Sequence, residues 1–408
     1  MKALSKAQVV TGLRGFAAMV FTIAASPVLY AQGVSFQTIS LGFGILYSIL
    51  ALAEIPTGAW ADIFGAKKSS VFGGVLQFSA MAVLGYGSTE VYQILFGFAL
   101  YGLGSSFVSG ALSALMFTTA KSEDGEKFNS NRYFSVIEKV AVASYILGSI
   151  SVGFLSEWFG RQSFLFAGVF FLVAAVFVAL SLREAPPERN HKSLRKEFFS
   201  RIAIGFSGIK QSIQLKVLLP VRMLHQVETI LGILWLPWIR ELGGGDDRWF
   251  SVLATGSYLL RYAVNHYFSG KPRPHHYIPR VAYALACMAL GSLICIFAQN
   301  VWLALLGVWT MAGARGAFLP AVQAIQHEEF PENVRTTGLS VMNFSTEVMI
   351  AVSYFVSAPL LDKLNVSTAW AISAGCFVLA TIACLPALKP AQQIADGNLQ
   401  SAAEAQDG

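Results

Sequence analysis

The sequence predicts an all-α membrane protein with about twelve transmembrane helices in two pseudo-symmetric halves of six. Composition, length and the spacing of polar breaks indicate this fold class. The chain has 408 residues, of which 55% are hydrophobic and 13% charged, and its mean hydropathy is +0.57. A soluble domain this apolar could not cover its exterior with polar surface, so the solvent is lipid. A spanning helix needs about 20 apolar residues, and this length fits about twelve spans with short loops.

Polar breaks divide the chain into apolar stretches that are long enough to cross a membrane as helices. The first set comprises residues 9–31, 35–58, 68–88, 91–119, 133–157 and 162–182. The second set comprises residues 217–240, 248–268, 279–298, 301–326, 337–361 and 366–388. The first stretch follows two lysines, as in a signal peptide, but it is longer than such a peptide and contains Arg14. We therefore interpret it as a retained helix.

The longest connection separates the two sets of helices and defines the expected domains. Residues 183–216 begin with a highly charged stretch and continue with apolar residues at helical spacing, which predicts a cytoplasmic linker with an amphipathic segment. The expected halves are then residues 1–182 and 217–388. The tail, residues 389–408, has few large apolar residues and is expected to be disordered.

The distribution of basic residues predicts the topology. If the N-terminus is cytoplasmic, about twenty Lys and Arg residues fall in cytoplasmic segments. The outer loops then contain only Arg161, Arg240, Arg248 and Lys363. This asymmetry predicts a bacterial-type cytoplasmic (inner) membrane with both termini inside, and it accounts for the net charge of +6 without nucleic acid. The four cysteines lie in apolar runs without CxxC pairs, which predicts no metal site.

A motif lies between the second and third helices. It reads EIPTGAWADIFGAKKSS, in which Gly58, Asp62 and Gly65 precede Lys67 and Lys68. The motif resembles the loop signature of the major facilitator superfamily, and the six-plus-six layout with a long central connection agrees with that family. The resemblance covers nearly the whole chain. It implies a transporter in which this loop acts as a gate between access states.

The chemistry of the motif residues fits a gating role. Glycines at positions 58 and 65 allow close backbone approach, Asp62 suits a position near a helix N-terminus, and the lysines can reach anionic headgroups. Glu54, one turn before Gly58, is expected either to act in this gate or to pair with a loop lysine. The family often has Arg directly after the Asp, whereas this chain has Ile63.

Ionisable side chains inside apolar stretches are costly in lipid, so each is a functional candidate. The candidates for the substrate and proton pathway are Arg14, Glu138, Arg222, His225, Glu228, Arg261, Arg315 and Glu347. Arg14 in helix 1 and Arg222 in helix 7 occupy corresponding positions, as internal repeats predict. Glu138 and its neighbour Lys139 form an interfacial pair in the alternative interpretation, since a lysine can extend to the headgroups.

Helix 7 is the richest of these segments. Arg222, His225 and Glu228 are spaced by three and lie on one helical face, where they form either a proton relay or a satisfied structural cluster. Three arginines against two glutamates in the C-terminal half favour a substrate with a carboxylate or other anionic group. Trp235 is expected either to anchor the helix at the interface or to face the substrate path where Pro237 bends the helix into an outer gate.

The leading interpretation is a secondary transporter that exports a small amphipathic metabolite or drug by alternating access, with protons as the coupling ion and no cofactor. The segments EIPTG, SGALSALMF and PENVRTTGLSVMN resemble the efflux-rich part of the family, although helix 5 lacks the proline of the antiporter motif. The alternatives are a carboxylate or siderophore-like anion exporter, an uptake symporter, or a membrane sensor or enzyme on this fold. The expected partners are substrate, protons and membrane lipids. We expect a non-enzymatic monomer.

Overall fold

The computed structural model describes residues 3–125, 130–182, 184, 209–210, 212–269, 277–330, 335–361 and 365–388. Every regular element within these ranges is a helix. In lipid the backbone must satisfy its own hydrogen bonds, and the α-helix does so within one segment.

Six helices form the first part of the chain. They are α1 (Ala3–Ala31), α2 (Phe36–Phe64), α3 (Ala66–Tyr86), α4 (Val91–Asp124), α5 (Ser130–Phe159) and α6 (Ser163–Ser181). A 3-10 turn, Gly160–Gln162, joins α5 to α6. Each predicted stretch coincides with one of these helices. The prediction that the second helix ends near residue 58 is corrected, because α2 continues to Phe64 and takes most of the motif into the helix.

The second part of the described chain contains the remaining helices. They are α7a (Ile213–Gln226), α7b (Leu231–Leu242), α8 (Arg248–Ser269), α9 (Tyr277–Ile296), α10 (Val301–Glu329), α11 (Arg335–Leu361) and α12 (Val366–Ala383). The seventh stretch differs from the prediction, since a 3-10 turn at Val227–Ile230 divides it. It also begins at Ile213, so residues 213–216 are helical and do not belong to the linker. Most of the predicted linker, and the tail from residue 389, lie outside the described residues.

Short polar side chains define where several of these helices begin. Each accepts a hydrogen bond from a backbone N–H of the first turn over 3.0–3.1 Å, and the residues are Ser35, Ser212, Asn300 and Asn365. The first N–H groups of a helix have no partner within the helix, and an oxygen at the N-cap satisfies one of them. These caps mark the starts of α2, α7a, α10 and α12.

Nine stretches of the described chain are long and apolar enough to cross a membrane. One of them, Lys139–Ser181, contains most of α5 and the whole of α6. The segments α7a, α7b and α8 are not among these stretches, although the predicted seventh and eighth spans coincide with them. Length accounts for α7a and α7b, because the 3-10 turn divides the seventh stretch into helices of 14 and 12 residues, too short to span a bilayer alone. The helix α8 has 22 residues, but Arg248, Arg261 and His266 lower its hydropathy.

The helices form two compact units. The first consists of residues 1–198, 232–255 and 350–364, and the second of residues 199–231, 256–349 and 365–408. The core of the first unit is aromatic. The ring of Phe21 on α1 lies 4.3–6.5 Å, centroid to centroid, from rings on three other helices, those of Phe43, Phe98, Tyr101 and Phe164.

Paired glycines allow two helix crossings to be very close. In the first unit α3 crosses α4 at Gly73 and Gly104, where a Cβ on Gly73 would lie 2.5 Å from the Gly104 carbonyl oxygen. In the second unit α9 crosses α10 at Gly291 and Gly307, where the corresponding distance is 2.6 Å. Small residues permit such approach between membrane helices. The third and fourth helices of each predicted half therefore cross in the same way, as internal symmetry requires.

Candidate functional site

A buried ion pair lies at the break in the seventh helix. Glu228, in the 3-10 turn, accepts a hydrogen bond from Nη2 of Arg315 on α10. The side chain of Glu228 is only 5% exposed, and Nε2 of His225 lies 3.7 Å from the same carboxylate oxygen. His225 and Glu228 are thus within reach of each other, as their spacing predicts. The sequence did not indicate that Arg315 would be the cation paired with Glu228.

The Glu228 cluster, defined as Glu228, His225 and Arg315, also has an aromatic wall. The imidazole of His225 stacks on Phe318 with ring centroids 4.5 Å apart, and the ring of Phe377 lies 6.1 Å away. Stacking of this kind fixes the orientation of the imidazole. The guanidinium groups of Arg315, Arg222 and Arg261 all act on His225 electrostatically.

Several buried polar atoms of this cluster have no hydrogen-bond partner among the described residues. They are Nε2 of His225, Oε2 of Glu228 and Nε of Arg315. Native proteins leave few buried polar atoms unsatisfied, and a group of them in one place indicates a site that binds something or changes state. A 3-10 turn inside a helix is a further sign of a functional hinge.

Arg222 lies one turn before His225 on α7a and has a different kind of partner. Its Nη2 donates to Oδ1 of Asn343 on α11 over 3.3 Å, and its Nη1 is buried without a hydrogen-bond partner in the described part of the chain. Glu347 follows Asn343 by four residues and therefore shares its helical face. The side chain of Arg261 on α8 is exposed.

Arg14, the counterpart of Arg222 in the first half, is also held by neutral groups. Its Nη2 donates to Oε1 of Gln77 over 2.9 Å, and Nε2 of Gln77 donates to Oγ of Ser105 over 2.9 Å. The guanidinium carbon lies 5.4 Å from the ring centroid of Phe171, within range of a cation–π interaction. Gln77 and Asn343 are not among the residues predicted from the sequence. The one signal for them was an amide side chain within an apolar stretch.

Two contact zones in the first unit join helices that are distant in sequence. The first zone connects α2 and α11. Oγ of Ser40 donates to the carbonyl oxygen of Tyr354 over 2.7 Å and lies 3.1 Å from Oγ of Ser357. A Cβ on Gly44 would lie 3.0 Å from the ring of Phe355. The two helices therefore touch closely at this end.

The second contact zone connects α5 and α8. Oγ of Ser149 lies 3.1 Å from Oγ1 of Thr255, and the backbone N–H of Gly153 donates to Oγ of Ser251 over 3.0 Å. The same hydroxyl donates to the carbonyl oxygen of Ile150 over 2.8 Å. A Cβ on Gly153 would lie 2.6 Å from Oγ of Ser251, so the contact requires a residue without a side chain.

The motif after the second helix folds differently from the interpretation of its sequence. Gly58 and Asp62 are helical and lie in the last two turns of α2, while Gly65 alone connects α2 to α3. Gly65 has φ of 103°, a left-handed conformation that favours glycine. The side chain of Asp62 lies outside the described residues. The side chains of Glu54 and Lys68 are exposed.

Glu184, and not Asp62, is the acid observed at a helix N-terminus beside the motif. Its carboxylate accepts hydrogen bonds from the backbone N–H groups of Ala66 and Lys67 at the start of α3, the second over 3.1 Å. The ammonium group of Lys67 donates to the carbonyl oxygen of Leu182, just after α6, over 2.8 Å. The motif is thus tied to the chain that leaves the sixth helix. From the sequence, Glu184 is predicted to lie in a charged linker, and no contact with α3 is predicted for it.

Replacing Glu184 by Gln is expected to lower the free energy of unfolding by about 1 kcal/mol, because the amide is a weaker acceptor at the positive end of α3. Unfolding in detergent, followed by far-ultraviolet circular dichroism, measures this change. Glu90→Gln is the matched control, since Glu90 precedes α4 without a side-chain capping hydrogen bond. Equal stability of the two variants would contradict a capping role for Glu184.

The remaining predicted site residues are placed as follows. Trp235 is partly buried in α7b, and this helix runs through Pro237, so the change in helical geometry occurs at Val227–Ile230 and not at the proline. Glu138 is helical within α5, but its side chain lies outside the described residues. The neighbouring side chain of Lys139 is exposed.

Comparison with known proteins relates this architecture to transporters. The family model described as Major Facilitator Superfamily matches residues 9–268. Multidrug resistance protein 1 of Bacillus subtilis (strain 168) is 33% identical over 148 residues, which span 35% of this chain and 35% of that protein. The chain therefore matches about a third of the length of this relative.

Solved structures of transporters share the fold over almost the whole chain. The nucleoside transporter NupG superimposes with a TM-score of 0.75 at 12% identity, covering 95% of this chain and 99% of NupG. The POT family transporter PepTSo superimposes with a TM-score of 0.73 at 13% identity, covering 96% of this chain and 98% of PepTSo. At these identities the likeness concerns the fold alone.

Proposed function

This chain belongs to the Major Facilitator Superfamily, and we propose that it exports a small amphipathic metabolite or drug across the membrane in exchange for protons. It is a membrane transporter and not an enzyme. The observation that carries the coupling part of the proposal is the buried pair of Glu228 and Arg315 beside His225. A carboxylate this deeply buried is stable as an anion only while a cation compensates its charge.

Proton binding at Glu228 would change this pair. A proton on the carboxylate cancels its charge, so the hydrogen bond from Arg315 weakens and the guanidinium becomes available to another anion or to a rearranged helix. The 3-10 turn at Val227–Ile230 places Glu228 between α7a and α7b, where a local change can alter the angle between two helix segments. Glu228 is therefore our candidate for the proton-carrying acid, with His225 as its neighbour in the relay.

The two contact zones of the first unit support alternating access. They join helices of the predicted N-terminal half to helices of the C-terminal half, α2 to α11 and α5 to α8, at the ends that the predicted topology places outside. These zones would hold the outer side of the transport path closed in one state and separate in the other. We assign the motif at Gly58, Asp62, Gly65, Lys67 and Lys68, with Glu54, to the inner gate.

Three further assignments complete the proposal. Export is favoured because the relative from Bacillus subtilis carries a multidrug resistance name. The excess of basic residues in the predicted inner segments supports an inner-membrane location with both termini cytoplasmic. We propose a monomer with two six-helix halves, a linker on the cytoplasmic surface and membrane lipids as its surroundings.

A second function, proton-coupled symport of an organic anion, is favoured by one observation. Arg222 is compensated by the amide of Asn343, not by a carboxylate, among the described residues. An anion that neutralised this charge would make a proton at Glu228 easier to accommodate, so anion and proton would move together. Direct measurement of the direction of proton movement separates exchange from symport.

The test measures intracellular accumulation of cationic dyes and carboxylate metabolites in cells that express the wild type, Glu228→Gln or Glu347→Gln. For an exporter coupled at Glu228 we expect lower accumulation of at least one compound in wild-type cells but not in cells with Glu228→Gln, and a protonophore should remove the effect. Loss of export in Glu347→Gln as well would add Glu347 to the proton pathway. Glu90→Gln is the control, because Glu90 is an exposed acid at the start of α4. Proton-dependent export that persists in Glu228→Gln would remove this residue from the mechanism, and accumulation above background would indicate uptake.

A further inference from the structure

Arg222 has the chemistry of a ligand site and not of a finished structural contact. Its hydrogen bond to Asn343 is long, at 3.3 Å, and Nη1 is buried without a partner among the described residues. A guanidinium group carries five N–H donors in a planar fork that matches a carboxylate. Arg222 is partly buried, and a cation whose Nη1 is buried and whose partner is neutral is costly, so a bound anion would remove this cost.

The charges around Arg222 also leave room for an anion. Arg315 is already neutralised by Glu228, which leaves Arg222 and Arg261 against Glu347. Among the described pathway candidates of the C-terminal half, three guanidinium groups against two carboxylates give one positive charge in excess when His225 is neutral. Proteins rarely leave such an excess inside a membrane without a compensating group.

The surroundings of Arg222 indicate what the anion is attached to. His225, one turn away on the same helix, is covered by the rings of Phe318 and Phe377. These rings are fully buried, with Phe318 2% and Phe377 0% exposed, so the surroundings of this part of α7a are apolar. Apolar surroundings beside a guanidinium suit a molecule with an apolar body and one charged end. A free inorganic anion would lose its hydration there without gaining apolar contacts.

We propose that Arg222 binds the carboxylate of a transported acid with an apolar or aromatic body. Arg261 contributes to the positive potential of this anion subsite. The inference rests on the proposed transport function, because it names the substrate class of the same site. It makes Asn343 a positioning residue that holds Arg222 without neutralising it.

The test measures binding to the purified protein in nanodiscs of phosphatidylcholine by isothermal titration calorimetry. The probes are a panel of aryl and alkyl carboxylates, each paired with its neutral amide, beginning with phenylpropionate and phenylpropionamide. We expect carboxylates to bind and their amides to bind at least about tenfold more weakly, since hydrogen bonds to charged groups contribute the difference. Inorganic phosphate and nanodiscs that contain phosphatidylglycerol test whether a free ion or a lipid headgroup occupies the site instead.

Substitution of Asn343 by Asp gives the sharpest variant. The side chains have the same shape, but the new carboxylate pairs with Arg222 and repels an incoming anion, so carboxylate affinity should fall by about ten- to hundredfold. Arg222→Gln should lower it to the same extent. Glu90→Gln, at an exposed acid before α4, should bind the carboxylate as tightly as the wild type.

The inference would be overturned if Asn343→Asp bound carboxylates like the wild type, or if no carboxylate in the panel bound better than its amide. Phosphate or phosphatidylglycerol that displaces every carboxylate equally would also overturn it in favour of those anions. Binding that depends on Arg222 without any proton-dependent transport would refute the proposed function and leave the anion subsite intact.

Discussion

Replacing Arg315 by Gln is expected to lower the free energy of unfolding by about 3–5 kcal/mol, because it leaves the buried charge of Glu228 without its cation. The side chain of Glu228 is only 5% exposed, so water does little to stabilise its charge. The loss should be smaller at acidic pH, since a proton then removes the unpaired charge. Thermal unfolding in detergent at several pH values measures both effects.

The double variant Arg315→Gln/Glu228→Gln provides the control for this pair. Removing both charges leaves two amides that can bond to each other, and replacing a whole buried pair is often close to neutral. We therefore expect the double variant to regain most of the stability that Arg315→Gln loses. A double variant as unstable as the single one would mean that Arg315 stabilises the protein by packing and not through its charge.

Replacing Gly153 by Leu is expected to slow transport strongly. A Cβ at this position would already lie 2.6 Å from Oγ of Ser251 and 3.0 Å from the carbonyl oxygen of Asp247. Overpacking of this kind costs about 1–3 kcal/mol, which disfavours the state with α5 against α8 by about five- to 150-fold. Transport by alternating access requires both states, so a protein held in one of them cannot complete the cycle.

Gly375→Leu is the matched control for Gly153→Leu, because nothing lies within 4 Å of a Cβ at Gly375. This variant should keep wild-type transport. A disulfide between Ser149→Cys and Thr255→Cys, in a background without the native cysteines, reports the contact directly, since the two hydroxyl oxygens lie 3.1 Å apart. This disulfide should form when residue 153 is glycine, and it should form much less when Gly153 is replaced by Leu. Full transport by Gly153→Leu would contradict opening at this contact zone.

Much of the fold could be predicted from hydrophobic patterning alone. The predicted spans coincide with helices because the membrane requires long apolar segments with internally satisfied backbones, and this requirement acts on each segment separately. The break at Val227–Ile230 could not be predicted in this way. The pattern remains helical through that region, and Pro237 is a stronger local signal for a bend than the residues where the helix changes.

The sequence predicts candidate site residues, but it does not predict which of them pair. The cost of a charge in lipid identifies Arg222, His225, Glu228 and Arg315 as candidates from composition and position. Whether Arg315 neutralises Glu228, and whether an amide or a carboxylate meets Arg222, depends on which helices face each other. The spacing of residues along one helix does not show which other helices that helix contacts.

The sequence by itself determined that the chain forms long apolar helices suited to lipid, and which ionisable residues those helices contain. These properties follow from transfer free energies and helical periodicity, which act locally along the chain. Only the tertiary structure decided that Glu184 and not Asp62 is the acid seen at a helix N-terminus beside the motif, and that Arg222 is held by Asn343. Such contacts join residues more than a hundred positions apart, and their energies exist only once the helices have packed.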